Sequence, residues 1–207
     1  FKATGTGTLS VSDDNSTATS AISGDTVTIG KLESLSAGTT IKVTVTAAQS
    51  TNYNAASATY TLTITKANNP VSVTANTGIK YGASTALVTT KNAQGSVYYA
   101  VGTQLTASNY TTSGSTTVPT ASGRNQGSYV VYYYVVGNNN YNPSSGSVTT
   151  SIARTTGSVT LKSMSGSVVT GGSVTYGTSE ARFKATGTGT LSVSDDNSTA
   201  TSAISGD

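Results

Sequence analysis

The same 25-residue sequence occurs twice in this chain of 207 residues. Residues 1–25 and residues 183–207 both read FKATGTGTLSVSDDNSTATSAISGD, and the two copies lie 182 positions apart. An identity of this length indicates tandem duplication, and repeats define the architecture of the chains that contain them. We therefore expect the parent protein to be an array, of which this chain holds one period and the beginning of the next.

A second and weaker repeat lies inside the 182-residue period. Residues 52–54 read NYN, and the same three letters recur at residues 140–142, 88 positions later. The register continues past this motif in two further pairs, Ile64 with Ile152 and Lys66 with Arg154. The period is therefore interpreted as two related modules, A and B, of about 90 residues each.

The repeats also predict where the modules begin and end. Residues 80–82 (KYG) also resemble residues 175–177 (TYG), so the similarity reaches toward the start of each module. The predicted divisions are the C-terminal portion of module A at residues 1–66, a complete module B at residues 67–155, and the N-terminal portion of the next module A at residues 156–207.

The residue types are those of strands and turns. Thr, Val and Tyr suit a pleated, half-buried surface, whereas Gly, Asn and Ser suit turns, and only 9% of the residues are charged. The segment 41–46 alternates with period two, which predicts that Ile41, Val43 and Val45 face a core. Tyr60 and Leu62 continue the same alternation on the next strand.

These patterns predict an all-β fold with almost no helix. In module B we expect strands at residues 71–76, 84–90, 95–101, 115–118, 127–136 and 145–152. In module A we expect them at residues 158–162, 167–175, 181–186, 190–194, 26–30, 39–48 and 56–65. Six or seven short strands within about 90 residues are typical of a β-sandwich.

One local pattern resembles the beginning of strand F in immunoglobulin domains. Residues 125–131 read NQGSYVV, similar to D-x-G-x-Y-x-C, with Asn125 in place of the Asp and Val131 in place of the Cys. In that family the Tyr hydroxyl bonds to upstream backbone, which implies such a bond for Tyr129. Module A has no Tyr at the corresponding position.

More widely, the chain resembles bacterial immunoglobulin-like (Big-type) repeats of large surface proteins. The resemblance is carried by residues 6–12 (TGTLSVS), 41–47 (IKVTVTA) and 52–57 (NYNAAS) in module A, and by residues 127–133 (GSYVVYY) with 140–142 in module B. It implies tandem sandwich modules arranged end to end in an extracellular fibre or adhesin stalk. That role is structural, and the resemblance supplies no ligand.

Composition argues against several other classes of function. The chain has no Cys and no His, which removes disulfides, thiolate metal sites and the usual base that activates a nucleophile. The net charge is +3, but the Lys and Arg residues are scattered, so no nucleic-acid surface is expected. The sequence also contains no apolar run long enough for a membrane helix. We expect neither an enzyme nor a cofactor.

Three acids of module A are the weak candidates for a metal site. Asp13, Asp14 and Asp25 lie in predicted turns, and no Asp or Glu occurs between residues 34 and 179. Calcium takes six to eight oxygen ligands, usually with several carboxylates. The alternative, which we favour, is that these side chains bond to the backbone of their own turns.

The tyrosines of module B are the candidates for binding. Strand alternation places Tyr99, Tyr129 and Tyr133 inward and leaves the other face to Tyr98, Tyr132 and Tyr134. Exposed aromatic rings stack on sugars or anchor a protein partner, such as a host or cell-wall glycan or a receptor. The alternative is a cross-strand aromatic ladder that stabilises the sheet.

The position of the repeat within the chain predicts an assembly. Residues 1–66 lack the first strands of module A, whose counterparts lie in residues 156–182. We expect neighbouring copies to complete each other by strand addition, head to tail, as a filament. The two identical 25-residue segments would then compete for one position.

Overall fold

A computed structural model describes residues 1–195 and 202–204 of the chain. Its regular structure is almost entirely strand, with one short helix and one 3₁₀ turn, Leu32–Ser34, in the described part. The chain divides into two compact units, Phe1–Ala153 and Arg154–Asp207. The predicted all-β class is confirmed, and the sheets are consistent with a β-sandwich.

The strands follow the chain in this order. In the first unit they are β1 (Leu9–Asp13), β2 (Thr19–Ser23), β3 (Thr26–Gly30), β4 (Thr40–Ala47), β5 (Ala56–Thr63), β6 (Ser72–Ala75), β7 (Ile79–Lys80), β8 (Val88–Lys91), β9 (Val97–Val101), helix α1 (Tyr110–Ser113), β10 (Gly127–Val135) and β11 (Ser144–Ala153). In the second unit they are β12 (Val159–Lys162) and β13 (Lys184–Gly187).

Residues 1–66 form a three-stranded antiparallel sheet and a hairpin. The sheet has the order β1-β4-β5, and the hairpin pairs β2 with β3. Ile41 and Val43 of β4 are completely buried and pack with Ala18 and Val27. The inward direction predicted for these two residues of β4 is confirmed.

Residues 67–153 form two sheets around one core. The larger sheet has the order β7-β11-β10-β9, in which β7 runs parallel to β11, and the smaller sheet pairs β6 with β8. Val88 from the smaller sheet packs with Tyr99, Val131 and Ile152 from the larger one. Apolar side chains from both sheets thus fill one interior, which is where the free energy of burial is gained.

The second unit contains one antiparallel pair. Strand β12 pairs with β13 over four residues, from Val159 opposite Gly187 to Lys162 opposite Lys184. Lys162 also forms an isolated bridge with Val168. Several large apolar side chains of this unit remain exposed, among them Val159 and Val174.

Several predicted strands are wrong, and one predicted core position is exposed. Residues 115–118 form only a bridge, between Ser115 and Tyr99, and residues 167–175 form only the bridge at Val168. Tyr60 lies on the same sheet face as Val43, its cross-strand partner, yet it is 50% exposed. No strand of the described residues covers this end of the sheet face. The Tyr60 ring therefore remains exposed, although the alternation of apolar residues along β5 places it on the core face.

Candidate functional site

The turn before β10 contains the side-chain bond that the sequence predicted. The Tyr129 hydroxyl donates a hydrogen bond to the main-chain carbonyl of Asn125 at 2.8 Å. The Arg124 guanidinium lies 5.5 Å from the centre of the Tyr129 ring, and its Nε donates to the Thr120 carbonyl at 3.0 Å. The ring is therefore held from two sides, and the turn is fixed to the strand that follows it.

The candidate binding face of the larger sheet is partly covered by a loop. Tyr98 and Tyr134 are cross-strand partners, and the ring of Tyr110 from α1 packs against both. Tyr110 stacks on Tyr134 with centroids 4.7 Å apart and planes at 12°, and meets Tyr98 edge-on at 4.8 Å. Tyr134 is only 8% exposed, so little of its ring is accessible to a ligand.

The covering loop is built from short-range polar contacts. Asn109 accepts a hydrogen bond from the Thr106 N–H at 2.7 Å and donates to the Gln104 carbonyl at 3.0 Å. Leu105 beneath it is almost completely buried. Tyr110 was not predicted as part of this site. The sequence feature that could have indicated its role is an aromatic residue shortly after an isolated Leu, within an otherwise polar loop between two strands.

The other tyrosines of these strands lie as predicted. Tyr99, Tyr129 and Tyr133 pack against the core, and Tyr99 also donates its hydroxyl to Thr90 at 2.8 Å. Tyr132 lies on the opposite face and is half-buried. Of the three binding candidates, Tyr98 and Tyr132 therefore retain part of their surface, whereas Tyr134 retains almost none.

The three carboxylates proposed as weak metal ligands each have a partner in the protein. Asp13 accepts the Asn15 N–H at 3.1 Å, and Asp14 accepts the Lys42 N–H at 2.8 Å. Asp25 accepts the Thr26 hydroxyl and forms an exposed ion pair with Lys2 at 3.2 Å. Within residues 1–195 and 202–204, no three acidic side chains lie together as a metal site would require.

A set of polar contacts between distant segments joins residues 66–67 to the loop between β10 and β11. We call residues 137–142 the clasp loop. Ala67 donates its N–H to the Asn140 carbonyl at 2.9 Å and accepts the Asn142 N–H at 2.8 Å. The Lys66 ammonium donates to the Asn138 carbonyl at 2.9 Å.

The clasp loop also reaches the part of the chain before residue 66. The Asn140 side-chain oxygen accepts the Ala37 N–H at 2.9 Å. Asn138 shapes the loop itself, since its side chain accepts the N–H groups of Asn140 and Tyr141 at 2.9 and 3.0 Å. Asn140 belongs to the NYN motif that also occurs at residues 52–54. The contacts of the clasp loop to residues 37 and 66–67 were not predicted.

Two shallow cavities lie on the surface of the described residues. One of about 210 Å³ lies between the 3₁₀ turn and the clasp loop and is lined by Leu32, Leu35, Ile64 and Tyr141 among others. Another of about 190 Å³ lies beside Asn76 and Thr150. Neither brings together a nucleophile, a base and an oxyanion donor of the kind that catalysis uses.

Comparison of the sequence with protein-family models and with curated proteins finds no match. No helix in the described part of the chain has the length and apolarity needed to cross a bilayer.

Proposed function

We propose that this chain is a structural segment of an extracellular bacterial surface fibre or adhesin stalk. In this proposal residues 1–66 are the C-terminal portion of immunoglobulin-like module A and residues 67–155 are the complete module B, related at a register of 88 residues. The strand order of the larger sheet and the Tyr129 bond support that assignment for residues 67–153. The 25-residue duplication supports a tandem array.

The observation that carries the proposal is the clasp loop. Modules joined by a flexible connection change their relative orientation freely. The modules of a stalk must instead keep a fixed relative orientation. Here the connecting residues Lys66 and Ala67 are bonded to the loop, and Asn140 extends the contact back to Ala37. Each module would add roughly 35–40 Å if its strands run along the stalk, at about 3.3 Å per residue.

The joint can be tested by residual dipolar couplings. We expect couplings from residues 1–66 and from residues 67–153 to fit one alignment tensor. The substitution Asn140→Ala removes the acceptor of the Ala37 N–H, so we expect the two sets then to require different tensors. Asn139→Ala is the matched control, because Asn139 is exposed and forms no side-chain bond in the described residues. Two tensors in the unaltered protein would contradict a stiff stalk.

The alternative function, binding of a glycan or receptor through Tyr98, Tyr132 and Tyr134, has less support. Tyr110 covers Tyr134 and contacts Tyr98, so the rings do not form an open platform. Specific binding on a glycan array that is lost in Tyr132→Ala would favour this alternative over the stalk.

A further inference from the structure

Two sequences of the type Asn-x-Ser/Thr, in which x is not Pro, lie in the described part of the chain. They are residues 15–17 (NST) and residues 109–111 (NYT). This pattern is the acceptor sequence, or sequon, for N-linked glycans in secreted proteins. Asn15 and Asn109 are both half-buried in connections between strands, so exposure does not distinguish them. Their side-chain hydrogen bonds do.

The Asn15 side chain shapes the turn between β1 and β2 with its oxygen alone. Oδ1 accepts the Thr17 N–H and the Ala18 N–H, both at 2.9 Å. Because Oδ1 must face these two donors, the orientation of the amide is fixed and Nδ2 lies on the other side. Nδ2 forms no hydrogen bond with any described residue. The nitrogen that a glycan would join is therefore left free by the fold.

The turn around Asn15 is held in place by its neighbours in sequence. Asp13 accepts the Asn15 N–H at 3.1 Å, and Asp14 accepts the Lys42 N–H of β4 at 2.8 Å. Ala18, which follows the sequon, is buried in the core of residues 1–66. The Asn15 amide is thus presented on a turn that is fixed at both ends.

Thr17 supplies the hydroxyl that the sequon requires two residues after the Asn. Its side chain is exposed, and its hydroxyl forms no hydrogen bond with a described residue. Asp14 and Ser16, on either side of Asn15, are exposed as well. An enzyme can therefore approach the amide and the hydroxyl from solvent together.

The needs of the turn do not explain why residue 15 is an Asn. Asn and Asp serve equally well where a side-chain oxygen caps backbone N–H groups, and a carboxylate forms the stronger hydrogen bonds. Asp13 and Asp14 act in this way in the same turn. What an Asn adds at position 15 is Nδ2, which the described structure does not use.

The second sequon provides the contrast. Asn109 donates from Nδ2 to the Gln104 carbonyl at 3.0 Å, and its Oδ1 accepts the Thr106 N–H at 2.7 Å and the Thr106 hydroxyl at 3.1 Å. The next residue, Tyr110, stacks on Tyr134 with ring centroids 4.7 Å apart. Reaction at Asn109 would have to break these contacts, so folding closes this sequon.

We propose that the folded chain presents Asn15 as the acceptor of an N-linked glycan, transferred from an oligosaccharide on a polyprenyl diphosphate. Nδ2 forms a bond to the anomeric carbon of the sugar, and the bond from that carbon to the diphosphate oxygen breaks. The polyprenyl diphosphate leaves with the electron pair, and Nδ2 gives up one proton to a base of the transferase. The two N–H donors on Oδ1 stabilise the negative charge that develops on this oxygen as the proton leaves.

This inference rests on the extracellular location in the proposed function, because the sequon is used in secreted proteins. The two can nevertheless fail separately. The dipolar couplings concern the joint between residues 1–66 and 67–153, and they do not depend on whether Asn15 is an acceptor. A chain with a stiff joint and no reaction at Asn15 would keep the proposed stalk and lose this inference.

Transfer to the purified chain in solution tests the proposal. Asn197, the counterpart of Asn15 in the repeat, lies outside the described residues and is replaced by Gln in every chain used. The folded chain and its tryptic digest are each incubated with an oligosaccharyltransferase and a polyprenyl-diphosphate oligosaccharide. Trypsin cuts after Lys31 and Lys91, which separates the two sequons, and mass spectrometry measures the occupancy of each.

We expect Asn15 to be modified in the folded chain to nearly the same extent as in the digest. For Asn109 we expect occupancy at least about tenfold lower in the folded chain than in the digest, because reaction there first breaks hydrogen bonds and a ring contact. The digest also shows that the transferase accepts the sequence around Asn15.

A matched pair of substitutions at exposed positions completes the test. Thr17→Ala removes the hydroxyl of the sequon, so we expect no glycan at Asn15. Ser16→Ala makes a change of the same size one residue earlier and leaves the sequon intact, so we expect the occupancy of the unaltered chain. Absence of the glycan from Asn15 of the folded chain, modification of Asn109 in its place, or equal occupancy in the two variants would overturn the proposal.

Discussion

The Tyr129 hydroxyl donates to the main-chain carbonyl of Asn125 at 2.8 Å, and so ties the first residues of β10 to the turn that precedes them. A net contribution of about 1 kcal/mol is ordinary for such a bond. We expect Tyr129→Phe to lower the free energy of unfolding of residues 67–153 by about that amount, measured in urea by amide exchange at Val131.

Tyr132→Phe is the control for this substitution. The Tyr132 ring lies on the opposite face of the same strand, and its hydroxyl forms no hydrogen bond with a described residue. If both variants unfold at the same urea concentration, the Tyr129 bond does not stabilise the turn.

The three-ring cluster predicts a role for Tyr110. Its ring stacks on Tyr134 and meets Tyr98 edge-on, and each such pair contributes about 0.5–1.5 kcal/mol beyond the area that it buries. We expect Tyr110→Ala to destabilise residues 67–153 by about 2 kcal/mol and to expose Tyr134. Thermal unfolding followed by tyrosine circular dichroism measures the first effect.

The neighbouring substitution Thr111→Ala provides the comparison, since Thr111 is exposed in the same helix. An unchanged melting temperature in Tyr110→Ala would mean that the loop lies on the sheet without stabilising it. In that case the tyrosine face would be open to a ligand, which would strengthen the alternative function.

Gly146 occupies a position where no larger residue fits without rearrangement. A Cβ atom there would lie 2.6 Å from the Tyr133 hydroxyl oxygen and 2.8 Å from its Cζ, because the ring of its cross-strand partner covers it. We expect Gly146→Ala to cost about 1–3 kcal/mol of unfolding free energy through displacement of that ring.

Ser147→Ala, one position further along β11 and exposed, should be nearly neutral. The two variants can be compared in one urea series. A Gly146→Ala variant as stable as Ser147→Ala would show that the ring moves aside at little cost.

Long alternating segments were the part of the fold that could be predicted from sequence. β10, β11, β4 and β5 lie within a residue or two of their expected limits. The Tyr129 bond was expected from the resemblance of residues 125–131 to the beginning of strand F in immunoglobulin domains, and the structure has that bond.

Elements that depend on a distant partner could not be predicted in the same way. Residues 9–13 form β1 against β4, whereas the identical residues 191–195 form no strand. A β-strand is stable only when another strand pairs with it, so the same amino-acid sequence adopts two different structures in its two positions. The expected strand at residues 190–194 was wrong for this reason.

In the candidate site too, the strand alternation could be predicted from sequence, whereas contacts with distant residues could not. Alternation correctly assigned Tyr98, Tyr132 and Tyr134 to one face, but burial of Tyr134 depends on a loop that reaches back from residue 110. The hydrogen bond from the Ala37 N–H to Asn140 spans more than a hundred residues and has no local signal. Tyr60 was expected inside, and its exposure follows from the missing cover over the end of β5.

The most direct test of the proposal that residues 67–153 are one folded module of a tandem stalk is single-molecule force extension of the chain held at its two ends. We predict one discrete unfolding step with a length gain of about 280 Å, as expected for about 90 residues extended from a folded module. A smooth extension with no step of that length would contradict it.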